Sequence, residues 1–365
     1  MRAIMRKTAL FPLLALAMLP ACAGQGMDGV ASAPLRLPAQ EVRAKGETAP
    51  VGSVDQDAAD DPAVWRNAAD PAQSLIVGTD KKAGLYVYGL DGAIRAFDAA
   101  GLLNNVDLAG GADSALVVAS DRSDKRQSKL ALFALRREGA ALERLGTISS
   151  GPGEAYGICL QRKGMGGDFV GLPQSVTAYA AIKDGTVREI VLSRGADGRY
   201  TGRIARSWKL ATQIEGCVTS PRTGDLYVGE EDAGIWRIRT AQADAQPEQF
   251  AAVGEAGGLV ADVEGLAYAM NADGRDYLVA SSQGDSAYAL FDAEGGALLG
   301  RFRIADGTVD GVSETDGIEL ALGGFGPDYP GGLFVAQDGN NPGGAQNFKL
   351  VDWGDVLRAL GLPRK

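Results

Sequence analysis

Short apolar runs, each broken by a small residue and then a polar step, recur along the chain without a sustained helical period between them. The phrase occurs six times, each copy followed by a second apolar run. The copies read Leu75–Asp80 with Gly84–Tyr88, Leu116–Asp121 with Leu130–Phe133, and Ala178–Ala181 with Thr186–Ile190. They continue as Leu226–Glu231 with Gly234–Ile238, Tyr277–Ser282 with Ala287–Leu290, and Leu333–Asp338 with Phe348–Val351. The small residues stand at 78, 119, 181, 229, 280 and 336, at spacings of 41, 62, 48, 51 and 56. Strand-rich units of roughly 40–50 residues are the signature of propeller blades. The pattern predicts an all-β, six-bladed β-propeller with four-stranded antiparallel blades around a central channel.

A quieter phrase precedes each copy: Asp60-Asp61-Pro62, Asn104-Asn105-Val106, Tyr156-Gly157-Ile158, Glu215-Gly216-Cys217, Glu264-Gly265-Leu266 and Asp316-Gly317-Ile318. A polar or acidic residue thus opens the first strand of every unit. First strands of propeller blades line the channel, so Asp60, Asp61, Glu215, Glu264 and Asp316 are expected at one mouth. Converging carboxylates repel, and burial would neutralise them. A hard, oxygen-seeking cation such as Ca²⁺ removes the conflict, and glycines beside the acids would let backbone carbonyls approach it. Basic residues fall on the polar step of the first three units: Lys81 and Lys82, Arg122, and Lys183. Their charge-assisted bonds suit phosphate oxygens. A rim half acidic and half basic suits a polyanion held partly through metal ions.

Composition sharpens this by exclusion. The 365 residues carry 46 Asp and Glu, 36 Lys and Arg, and no histidine, for a formal charge of −10. No Ser-His-Asp or Cys-His relay, histidine phosphotransfer or histidine-ligated zinc site can be built. Three cysteines cannot make a Cys₄ cluster. The acidity argues against nucleic acid as partner. Fifty-one glycines predict many tight turns.

Residues 1–23 read as an export signal: Arg2, Arg6 and Lys7 precede an apolar run too short to span a bilayer. Leu19-Pro20-Ala21-Cys22 resembles a lipoprotein box that would lipidate Cys22, while Ala21-Cys22-Ala23 offers an ordinary signal-peptidase site. The lipoprotein reading is preferred, giving an outer-membrane lipoprotein, with a periplasmic or secreted protein as the other outcome. Membrane contact is then expected only through a lipid on Cys22. Residues 24–46 are Ala-, Pro- and Gly-rich and are assigned to a tether, and 47–365 to the propeller. Cys159 and Cys217 lie in strand-like stretches and are expected as buried free thiols in preference to a disulfide.

These residues resemble the β-propeller phytases. The resemblance rests on Asp57–Trp65, Gly78–Leu85, Leu103–Asp107, Gln213–Gly216, Gly229–Trp236, Asp262–Leu266, Ala280–Gly284, Thr315–Ile318 and Phe334–Gly339. It covers about residues 47–353, in order. The Asp-Asp-Pro-Ala run with Asn-Asn-Val-Asp downstream is its most specific part. The resemblance implies Ca²⁺-dependent hydrolysis of the phosphate monoesters of myo-inositol hexakisphosphate (phytate), free or as its calcium salt, by a calcium-activated water. It implies that Glu47, Asp60, Glu215, Glu231, Glu264 and Asp316 hold channel-mouth calcium ions, with Asp60, Glu215, Glu231 and Glu264 carrying the catalysis. Phosphates would be met by Lys81, Lys82, Arg122, Tyr156 and Lys183. Structural calcium ions are implied at Asp61 with the Val106 carbonyl, at Asp262 with Gln283, and at Asp310 with Asn340 and Asn341. Lys163–Gln174 departs from the family as an insertion, and the loop around Asn340–Ala345 is shorter than expected. The protein is expected to be a monomer.

Two other functions fit the same fold. A calcium-dependent lactonase-like propeller needs one central metal and an apolar pocket, which leaves the ordered bases without a role. A non-catalytic propeller could bind a polyanion or partner, since fold alone does not imply function.

Overall fold

The computed structural model describes residues 35–54, 57–163 and 170–363. Six sheets form successive blades: β3–β6 (Ala59–Asp98), β7–β10 (Leu103–Pro152), β11–β14 (Ala155–Lys209), β15–β18 (Ile214–Ala252), β19–β22 (Val263–Ala305) and β23–β25 (Ile318–Asp352). The six small residues of the sequence phrase all lie on second strands of blades. First strands pack on one another around the ring, with the sixth returning to the first. They are β3 (Ala59–Trp65), β7 (Leu103–Gly110), β11 (Ala155–Leu160), β15 (Ile214–Thr219), β19 (Val263–Ala269) and β23 (Ile318–Ala321).

The core is six wedges, one between each pair of neighbouring blades. Val77 and Val87 of blade one meet Val117 and Phe133 of blade two, for example, and Leu333 and Phe348 of blade six meet Ile76 and Tyr88 of blade one. Middle strands are therefore buried on both faces, and alternation survives chiefly on outer strands such as β6 (Ile94–Asp98). Each fully buried Val, Leu or Phe contributes about 1.5–3 kcal/mol, so stability depends on closing the ring.

Closure uses the N-terminal segment. Strand β2 (Gly46–Glu47) pairs antiparallel with β25 (Asn347–Asp352) and supplies the fourth strand of blade six. Strand β1 (Gln40–Arg43) adds in parallel to β22 (Leu298–Ala305), giving blade five a fifth strand. The part of the expected tether from Gln40 onward thus holds two strands, because the ring's last blade and an open outer edge need partners. Leu37 is buried, and its N–H donates to Asp285 at 3.0 Å. After β25 the chain ends in a helix, α1 (Trp353–Ala359), which packs Trp353, Val356 and Leu357 onto the wedge between blades five and six.

Cys159 and Cys217 form a disulfide, contrary to the expected free thiols. Both are strand residues, as read, but β11 and β15 are neighbours around the channel, and the Cα atoms stand 5.7 Å apart. That lies within bridging range. The bridge closes a loop of 58 residues, and such a cross-link is worth about 4 kcal/mol through the unfolded state. Replacing both cysteines with alanine should lower the denaturant midpoint substantially, and reductant should do the same to the wild type. Two thiols titrating in the unreduced protein would restore the earlier expectation.

The proposed signal and lipoprotein box lie outside the described residues, as do residues 164–169 of the Lys163–Gln174 insertion. Among the described residues, no helix is long and apolar enough to cross a membrane.

Candidate active site

The recurring polar phrase is a β-bulge. In five first strands the register slips so that two residues face one on the second strand: Asp60-Asp61, Asn104-Asn105, Tyr156-Gly157, Glu215-Gly216 and Glu264-Gly265. Asp316-Gly317 precedes β23 at the matching place. A bulge turns one extra side chain off the ladder, here at the same end of every blade. The glycines serve the ring more than any ion. A Cβ on Gly157 would lie 1.8 Å from the Glu215 carbonyl oxygen, and one on Gly216 would lie 1.9 Å from that of Glu264. Only glycine lets adjacent first strands close this tightly.

The polar steps of the sequence are the hairpins between second and third strands, and they sit at the same mouth. Lys81, Lys82, Arg122 and Lys183 come from blades one to three, and Glu231 from blade four. The structure brings Glu215, Glu231 and Glu264 together, each offering a carboxylate oxygen within 4.8 Å of the others. Gln213 Nε2 donates to Glu231 at 2.6 Å. Asn104 Nδ2, from blade two, donates across the mouth to Glu215 at 2.7 Å. Lys81 Nζ lies 2.9 Å from Asp60 and 3.3 Å from Asp316, and it also pairs with Asp57. Gln283 Nε2 donates to Asp316.

Burial opposes charge here. It pushes the Glu215 and Glu264 carboxyls well above their usual range, Asp60 raising Glu215 further and Glu215 raising Glu264. Burial likewise raises Asp316 to about 7, although Lys81 pulls the other way. Burial works against the Lys81 ammonium, but Asp60, Asp316, Glu215 and Asp57 outweigh it and hold its pKa above the ordinary value. Burial and then Glu215, Glu231 and Glu264 raise the Tyr156 phenol, keeping it protonated. The ring of Tyr156 carries Lys183 Nζ at 4.7 Å and the Arg122 guanidinium at 5.3 Å. Glu264 Oε2 is buried with no hydrogen-bond partner among the described residues. Three clustered carboxylates, raised pKa values and an orphaned oxygen fit a hard cation.

The other expected ligands have neighbours of their own. Asp61 meets Val106 through its N–H, which donates to Oδ2 at 3.0 Å, and not through the carbonyl. Gln283 N–H donates to the Asp262 carbonyl oxygen at 3.0 Å. Glu47 does not join the mouth, because β2 places it on the outer edge of blade six. There Lys349 Nζ, fully buried, lies 2.5 Å from both Glu47 and Asp310, 3.1 Å from Asn341 Oδ1 and 3.4 Å from Asp338. Asn340 reaches this group only through its N–H, which donates to Asp338 at 3.3 Å. Three carboxylates thus surround one ammonium.

Several contributing residues escape the sequence reading. Asn104 lies within the recurring phrase but carries no charge to single it out. Lys349 has a visible signal, a lysine inside the apolar run Phe348–Val351. Deeper in the channel, Arg162 bridges Asp107 at 2.7 Å and Glu319 at 3.3 Å, joining blades three, two and six. These three and Asp61 border a cavity of about 20 Å³. No local pattern marks them, since the three strands come from distant parts of the chain.

The fold is a six-bladed propeller whose channel mouth sets a cluster of carboxylates beside Lys and Arg side chains. The family model described as "Phytase" matches residues 7–363, so the chain belongs to the phytase family. It is also similar to the 3-phytase of Bacillus subtilis (strain 168), at 37% identity over 336 residues. That match covers 88% of this chain and 86% of the relative.

Proposed function

We infer that this protein hydrolyses the phosphate monoesters of phytate with bound Ca²⁺, acting on free or calcium-bound phytate as an exported monomer. Export would follow either lipidation of Cys22 or cleavage by ordinary signal peptidase. The observation that carries the activity is the meeting of Glu215, Glu231 and Glu264 with Lys81, Arg122 and Lys183 at one channel mouth.

Glu215, Glu231, Glu264, Asp60 and Asp316 would hold the catalytic calcium. Asp61, and Asp262 with Gln283, are candidates for structural ions, whereas the Lys349 ammonium already supplies the cation to Glu47, Asp310 and Asn341. Bound calcium would screen phosphate oxygens and make a water a better nucleophile. Lys81, which its three acid partners share in the free protein, becomes available to a phosphate oxygen once a cation neutralises them. Arg122 and Lys183 flank the Tyr156 ring and present two positive charges to a neighbouring phosphate. The Tyr156 phenol, kept protonated, can donate a hydrogen bond to the same group. Lys82 is more exposed and lies 3.7 Å from Asp57, placing it at the rim.

Phosphate release from phytate should be lost in excess EGTA and restored by added Ca²⁺. Undiminished release in EGTA would overturn the calcium role. Hydrolysis of a lactone with no action on phytate would favour the lactonase alternative.

A further inference from the structure

We propose that Glu154 is a positioning residue for the phosphate-binding half of the mouth; this rests on the assignment of Arg122 and Lys183 to phosphate. Glu154 stands immediately before the first strand of blade three, where three loops meet. Its Oε1 accepts from Arg122 Nη2 at 2.9 Å and lies 3.9 Å from Lys125 Nζ. Its backbone carbonyl accepts from the N–H of Lys183 at 3.1 Å. The preceding residue, Gly153, donates its N–H to the Arg126 carbonyl at 2.9 Å. Gly153 has φ +110°, and a Cβ there would lie 2.5 Å from Ile182 Cγ2. Glycine at 153 therefore lets the backbone reach both loops at once.

Arg122 is consequently held on three sides. Glu154 takes one terminal nitrogen, Asn104 Oδ1 accepts from the other at 2.6 Å, and the Tyr156 ring supports the guanidinium plane. A long arginine left free would give up rotamer freedom on binding. Fixed in advance, it meets a phosphate at a smaller entropic loss. Glu154 is itself largely buried, 14% exposed, whereas Lys125 is 75% exposed. The carboxylate thus sits beneath Lys125. Two cations, Arg122 and Lys125, share this one carboxylate, which leaves the group net positive and suited to an anionic phosphate. Lys125 stands at its outer edge.

The test measures KM and kcat for phytate, with saturating Ca²⁺, in Glu154→Ala, Glu154→Gln, Arg122→Ala and the Glu154→Ala/Arg122→Ala double variant. Losing a charge-assisted bond that acts through a second residue should raise KM about tenfold in Glu154→Ala, with kcat within about twofold. Glu154→Gln retains an oxygen acceptor for Arg122 and should stay within about threefold of wild-type KM. In the double variant, Glu154→Ala should add less than about twofold to the effect of Arg122→Ala. An unchanged or lowered KM in Glu154→Ala, beside a raised one in Arg122→Ala, sinks the positioning role alone. Fully additive effects in the double variant do the same. An unchanged KM in Arg122→Ala overturns the phosphate assignment and this proposal with it. Thermal unfolding of Glu154→Gln, expected at the wild-type midpoint, separates positioning from a merely structural role.

Discussion

Replacing Glu215 with alanine should lower phosphate release from phytate by about 10²–10³-fold, the usual loss when one preorganised charge-stabilising group is removed. Glu215 faces the largest convergence of groups at the mouth. Asn104 donates to it from across the channel, Glu231 and Glu264 stand within a cation's reach, and its negative charge helps hold the Lys81 ammonium. Without it the acidic half loses an oxygen donor and the link through Asn104 to Arg122 loses its end. Stability should move the other way. Glu215 is a buried carboxyl whose charged form is opposed by burial and by Asp60, so alanine relieves repulsion in the calcium-free protein. Phosphate-release kinetics alongside thermal unfolding in EGTA check both halves. Wild-type rates would remove Glu215 from the catalytic group.

Calcium should stabilise the protein more at pH 8 than at pH 5. Burial raises the folded-state pKa values of Glu215, Glu264 and Asp316, the last to about 7. A carboxyl with a raised folded pKa binds more protons folded than unfolded. The contribution of these three groups to stability in chelator is therefore greatest at low pH and declines as pH rises from the ordinary carboxylate range, through about 7 for Asp316. Calcium needs the ionised form and displaces those protons, so its contribution grows over the same interval. At a hundredfold excess over its dissociation constant, one site contributes about 2.7 kcal/mol. The check is the unfolding midpoint with and without Ca²⁺ across pH 5–8. A calcium shift of constant size would mean that the buried acids are not its ligands.

Much of this molecule is readable locally. The blade count follows from a phrase repeated in phase, because each blade must alternate extended runs with tight hairpins whatever its neighbours do. The acids and bases of the mouth are legible for the same reason. Asp60, Glu215, Glu264 and Asp316 recur at one point of the repeat, and a radial fold turns equal phase into equal height along the channel. The family resemblance, resting on those same stretches, agrees with the family match.

What only the tertiary structure decided depends on which edges meet. Glu47 and Lys349 are 302 residues apart and touch because the ring closes by borrowing its last strand from the chain's beginning. Cys159 and Cys217 bond because consecutive first strands are spatial neighbours, a fact invisible in either strand's own pattern. Glu154 matters through three loops that it ties together, and Arg162 through blades three, two and six. Local sequence determines extended or turned backbone and the phase of a repeat, since those are set by sterics within a few residues. Closure, cross-links and shared charge arise where distant segments exclude water from one another. Their partners are therefore set only by the assembled ring.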